Sequence, residues 1–197
     1  TIVCILLGYP AAWILSNAKL NRSKTMVVLF ILPMWVNILV RTLATVALFD
    51  FFSVPLGEGA LIFGMVYNFI PFMIYPIYNT LQKMDHSYIE AAQDLGANPV
   101  QVFFKAVLPL SMPGVISGIT MVFIPAITTF AISRLLGGGK FMLYGDLIEN
   151  QFITLGMDAW GSGSALSFIL LVLVLISMAV MRRAEREAGE EGGGKLW

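Results

Sequence analysis

Three long stretches of this chain carry no charge: 24 residues between Glu58 and Lys83, 28 between Lys105 and Arg134, and 23 between Asp158 and Arg182. A bilayer core of about 30 Å takes about 20 mostly apolar residues as helix, because an unpaired backbone N–H or C=O facing lipid is costly. Each stretch is long enough to cross. The segment from Thr25 to Phe49 holds one charge, Arg41, near enough to one end to snorkel or to line a polar cavity, and counts as a fourth span. With 58% of residues hydrophobic and 12% charged, against about 25% charged in soluble domains, a water-soluble fold is excluded. The expected fold class is all-α, a polytopic bundle of membrane helices.

The first apolar run, Ile2 to Leu15, has 14 residues and contains Gly8 and Pro10. It lacks the basic start of a signal peptide, so it reads as the later part of a span that begins upstream. The spans are expected at 1–15 (partial), 25–48, 59–82, 110–133 and 160–181, with a loop at 83–109 and a tail at 182–197.

Orientation follows from Lys and Arg in the short loops. One set of alternate loops holds Lys19, Arg22, Lys24, Lys83, Lys105, Arg182, Arg183, Arg186 and Lys195; the other holds Arg134 and Lys140. The first set is assigned to the cytoplasm. The C-terminus is then cytoplasmic and Thr1 external, the parity expected if a further helix precedes it. The mixed-charge, Gly-rich stretch from Glu185 to Trp197 reads as a solvated, disordered end. A net charge of zero with no basic stripe argues against nucleic acid as a partner. Cys4 is the single cysteine, so no intrachain disulfide can form.

The loop from Lys83 to Lys105 carries helix punctuation in order. Ser87 with Glu90 three residues on spells a capping box that starts a helix. Gly96 ends it, and Asn98 before Pro99 caps a second. Tyr88, Ala92 and Leu95 are expected to share a face of the first helix, and Val100, Phe103, Phe104 and Val107 a face of the second. Ala91 and Ala92 leave room for another protein to approach closely.

The run Glu90-Ala91-Ala92, Gly96, then Ala106-Val107-Leu108-Pro109 resembles the loop signature of permease subunits of binding-protein-dependent ABC importers of the type I, MetI-like kind. Ala106 departs from the Ile usual at its position. Pro33-Met34-Trp35-Val36-Asn37 with Arg41, Tyr67 to Met73, Leu108 to Gly114, Phe123 to Ala126 and Leu136-Gly137-Gly138 resemble the spermidine/putrescine permease branch. The resemblance implies that this loop is a coupling helix, with Ser87, Glu90, Ala91, Ala92, Gly96, Leu108 and Pro109 as its residues, docking on a cytoplasmic ABC ATPase subunit. It further implies a second permease subunit, an external substrate-binding protein and a place in the cell's inner membrane. By this resemblance the family's first helix and part of its second are expected to lie outside the sequence, and the external connection from Asp50 to Glu58 is shorter than expected.

Polyamine cargo is multiply cationic, and no acidic residue lies within the four complete spans. Cation–π faces at Trp35, Tyr67, Tyr75 and Tyr78, with amide oxygens of Asn37, Asn68 and Asn79, are candidates to replace water around an ammonium. Asp50, Glu58, Asp146, Glu149 and Asp158 fall on the external side, where they would draw cations to the mouth. The competing reading is plainer: interfacial aromatics anchor, and loop carboxylates solvate.

No enzyme reading survives. The sole histidine, His86, has no second ligand or nucleophile beside it, so neither a metal site nor a catalytic pair is expected. Gly161-Ser162-Gly163-Ser164 has no histidine after it, and Gly137-Gly138-Gly139-Lys140-Phe141 lacks the spacing and hydroxyl of a P-loop. No cofactor is expected on this chain, and energy must come from another polypeptide. The alternatives are a self-sufficient channel or secondary transporter, or a permease of the same class for another small solute.

Overall fold

The computed structural model of the chain describes residues 1–17, 25–85, 87–156 and 159–194, with side chains to Gly189. Lys19, Arg22, Lys24, His86, Asp158 and Lys195, which entered the charge count or the site reading above, lie outside the described residues. All regular structure among the described residues is helical.

Helix α1 (Ile2–Ser16) runs parallel to α4 (Glu58–Lys83): Gly8 meets Met73 and Ile74, and the Gln82 amide donates to Ser16 O at the far ends. The chain then climbs through α2 (Thr25–Ile31) and a 3-10 turn (Leu32–Trp35) into α3 (Ile38–Phe51). After α4 come α5 (Ser87–Asp94), α6 (Pro99–Val102), a π-helical turn (Phe103–Val107) and α7 (Leu108–Thr128). Helix α8 (Ala131–Leu136) packs on the first half of α4 and α9 (Tyr144–Ile153) at the Thr128 end of α7, and α10 (Trp160–Gly194) closes the bundle.

Helix α4 is the hub. It packs on α1 and α7 around a core of Met73, Ile74, Ile77, Val107 and Val122. Small residues set the spacing, as they do where helices meet in a membrane. A Cβ added to Gly114 would lie 2.4 Å from Thr80 Oγ1, and one added to Gly118 would lie 2.7 Å from Met73 Sδ.

Four expectations are corrected. The span at 25–48 is not continuous, because α2 with its 3-10 turn meets α3 at 98°; Pro33 has no N–H to give, and Asn37 restarts the helix by accepting the Leu39 N–H at 2.8 Å. The span at 110–133 stops at Thr128, since Thr129 is extended, and α8 restarts beyond it. The tail is helical to Gly194: Arg183 donates to Glu187 one turn on, Ser117 donates to Glu185, and Ala and Glu are good helix formers. The Glu187 carboxylate holds the exposed Arg183 guanidinium above its ordinary range.

The last correction concerns the loop's second face, where Val102 and Val107 are buried while Val100 and Phe104 are exposed. The π turn is the cause: Leu108 N–H bonds Phe103 O, five residues back, so the inward face repeats after five residues at this place instead of three or four.

Candidate functional site

Two places in the bundle gather the residues singled out above, one at the Lys83 end of α4 and one midway along it. At the Lys83 end, the capping of α5 differs from expectation. Ser87 lies inside the helix, and its N–H donates to Asp85 Oδ1 at 2.9 Å, so a carboxylate two residues earlier does the work assigned to the hydroxyl. Gly96 does end the helix, with φ of +80°. Asn98 accepts from Gln101 N–H at 2.9 Å while Gln101 Oε1 accepts from Asn98 N–H at 3.0 Å, a full capping box before Pro99.

Helix α5 buries none of its residues. Ile89 and Ala92 lean on the core, whereas Ser87, Tyr88, Glu90, Ala91, Leu95 and Gly96 are exposed, Leu95 at 89%. Tyr88, Ala92 and Leu95 therefore do not form one inward face; only Ala92 of the three packs inward. Leu108 is half-buried and Pro109 exposed, at the start of α7. A cleft of about 330 Å³ separates α5 from the bundle, lined by Thr80, Lys83, Met84, Asp85, Tyr88 and Leu110. The helix thus stands off as a knob with apolar and acidic surface turned outward.

Midway along α4, a cleft of about 440 Å³ opens at the 98° break, lined by residues from Met34 to Ile38 with Arg41, Asn68, Phe69, Phe72 and Pro125. Arg41, only 6% exposed, organises it. Pro71 has no N–H, so the carbonyl of Tyr67 loses its helical donor; Arg41 Nη2 donates to that oxygen at 2.8 Å. Nη1 donates to Pro33 O at 3.0 Å, in the broken turn, and the guanidinium lies 4.8 Å from the Tyr67 ring centroid. One side chain thereby supplies the donor that Pro71 withholds from α4 and ties α3 to the broken turn, where the Pro33 carbonyl also accepts the Val36 N–H at 3.2 Å. The mid-span charge was visible in the sequence, and the paired signal was Pro71, four residues after Tyr67.

Of the candidate cargo contacts, Trp35, Asn37 and Asn68 line this cleft and Tyr67 adjoins it through Arg41, while Tyr75 and Tyr78 lie farther along α4, outside the cleft. Asn37 is spent on its cap, and the Tyr67 ring is covered by Arg41. Asn68 Nδ2 donates to Gly64 O at 2.8 Å and Thr42 Oγ1 at 3.3 Å, leaving its buried Oδ1 without a partner. Trp35 is 87% exposed. Among the carboxylates expected to draw cations, Asp146 is buried and accepts the Leu143 N–H at 2.7 Å, and Glu149 is paired with Arg134; Asp50 and Glu58 are exposed.

Residues 5–189 match the sequence family described as binding-protein-dependent transport system inner membrane component. The chain is 37% identical to the spermidine/putrescine transport system permease protein PotB of Haemophilus influenzae, over 94% of this chain and 70% of that one. To the protein of the same description in Escherichia coli it is 36% identical, over 94% and 73%. Its fold matches that of a chain in an inward-facing structure of the MetNI methionine ABC transporter, with TM-score 0.70 and 22% identity over 94% of this chain and 87% of that one.

Proposed function

The chain belongs to the family of binding-protein-dependent transport system inner membrane components, and from that premise we propose that it is the membrane-spanning subunit of an ATP-driven importer that takes up polyamines such as spermidine and putrescine. The observation that carries this reading is the likeness to polyamine permeases along 94% of the chain, combined with an outward-standing helix at the expected loop. Nucleotide is bound by a cytoplasmic ATPase partner and not by this chain. A second permease subunit and an external binding protein complete the assembly, with the latter doing much of the selecting.

Lys83, Lys105, Arg182, Arg183 and Arg186 are assigned to the cytoplasmic side and Arg134 and Lys140 to the outside, with the C-terminus in the cytoplasm. Ser87, Glu90, Ala91 and Gly96 then form the surface that meets the ATPase, Ala92 seats it on the bundle, and Leu108 with Pro109 carries it into α7. When the ATPase dimer closes, it displaces α5; the displacement passes into α7 and thence to α4, so that access alternates between the two sides. Trp35 and the free Asn68 Oδ1 are the residues of the cleft at the break still able to meet an ammonium, by cation–π contact and by accepting an N–H. Tyr75 and Tyr78 are assigned to the path farther in.

The test is uptake of labelled spermidine or putrescine into vesicles holding this chain with its permease partner and ATPase, with the loaded binding protein outside. Uptake that requires ATP supports the reading. Uptake that persists without the ATPase would make the chain a channel or secondary transporter, and ATP-driven uptake of a different solute only would overturn the polyamine assignment.

A further inference from the structure

Between the inner knob and the membrane lies the π-helical turn, Phe103–Val107, set into an otherwise α-helical path from Pro99 to Thr128. A π turn holds an extra residue against the helical repeat, which costs regular hydrogen bonding and is found mostly where a helix has a task besides spanning. Here it turns the Phe103 ring onto α1. That ring meets Tyr9 edge to face at 5.7 Å and Trp13 at 5.4 Å, and Phe104 at 5.1 Å on its own helix. Two turns farther on, Ser111 Oγ donates to Leu108 O and lies 2.8 Å from the Tyr9 hydroxyl, which is left to donate to it; Ser111 is fully buried. Tyr9 therefore touches the π turn at its first residue with its ring and α7 beyond the turn with its hydroxyl.

We infer that Phe103 is a positioning residue: through its ring, α1 is clamped to the π turn and is carried along when α5 is displaced, so that two helices, α7 and α1, bear on α4 together. The inference rests on the coupling role proposed for α5. Directional edge-to-face ring contacts and a buried hydroxyl pair transmit a rigid-body shift, whereas a greasy contact of equal volume lets the helices slide. Gly8, one residue from Tyr9, packs directly on Met73 and Ile74, which places the far side of α1 against the hub.

The experiment uses the assembled transporter in vesicles, with transport per ATP hydrolysed as the readout and ATPase retention on purification as the control. Phe103→Leu keeps apolar volume and removes the ring edges; it is expected to lower transport per ATP about fivefold, with ATPase retention and basal hydrolysis unchanged. Phe103→Tyr is expected to restore it. Tyr9→Phe, which keeps every ring, is expected to lower the same ratio about twofold. The inference is overturned if both Phe103→Leu and Tyr9→Phe leave the ratio unchanged, or if transport falls only in step with lost ATPase retention. Failure of the unsubstituted transporter to retain an ATPase is a separate outcome that overturns the coupling role itself.

Discussion

A proline inside a membrane helix deletes one hydrogen-bond donor, and lipid offers nothing in exchange, so the orphaned carbonyl has to find a donor in the protein. Pro71 orphans the Tyr67 carbonyl, and the donor found is Arg41, from a helix 26 residues away in sequence. Charge-assisted hydrogen bonds are worth about 1.5–3 kcal/mol each, so Arg41→Leu, which takes this donor from the Tyr67 carbonyl and leaves the Pro33 carbonyl only the Val36 N–H, is expected to destabilise the chain by about 3 kcal/mol. A lowered thermal midpoint in detergent checks this, and Arg41→Lys should recover only part of the loss, since an ammonium on a single stem lacks the planar fork that reaches two acceptors. A midpoint for Arg41→Leu equal to that of the parent chain would refute the account. The charge was legible in the sequence; its task was not, because the pairing of Arg41 with Pro71 is set by the packing of α3 on α4. The same limit hid the engagement of Asn37 and Tyr67, whose polar and aromatic character alone made them candidates for cargo.

Local punctuation sets the turn between α5 and α6. Asn98 before Pro99 and the positive φ of Gly96 are chemistry of neighbouring residues, and α5 ends and α6 begins where those residues dictate. What misled was punctuation with competitors: Asp85 outbid Ser87 for the N-terminal amides of α5, and a uniform helical period carried past Phe103 could not show a turn of five. The break before α3 left a weak trace, Pro33 and Asn37 inside an apolar run, which hydropathy alone reads straight through. Gly96 offers a test at this scale. A Cβ there meets nothing within 4 Å, so Gly96→Ala should cost only the backbone strain of a left-handed residue, about 1 kcal/mol, and leave ATPase retention nearly intact. Gly96→Trp adds bulk to the exposed knob and is expected to reduce retention at least about tenfold with membrane insertion unchanged, a loss of about 1.4 kcal/mol of docking energy. Equal retention by the two variants would mean that the ATPase does not meet this end of α5.

Across the whole molecule, apolar surface is unevenly used. Helix α4 is enclosed by α1 and α7, while α10 leaves Phe168, Ile169, Leu175, Ile176 and Val180 more than half exposed. Both helices are apolar enough to cross a membrane, with mean hydropathy 1.7 in α4 and 2.7 in α10, since lipid and protein interior both select apolar side chains; small residues at the contact mark a helix packed by protein. Gly114 and Gly118 on α7 are such a mark, spaced by four on the face toward α4. A Cβ at Gly118 would lie 3.2 Å from the Met73 carbonyl oxygen, so Gly118→Leu has to push two backbones apart and is expected to destabilise by about 3 kcal/mol. Leu175→Ala, on the open side of α10, should change stability by less than about 0.5 kcal/mol. Thermal unfolding of the isolated chain in detergent measures both. Because α1 and α7 press on α4 from separate sides, Gly118→Leu should also uncouple transport from hydrolysis in the assembled importer while ATPase retention holds, since the knob is untouched. A Gly118→Leu chain as stable as the parent would show that α4 and α7 already slide freely past one another.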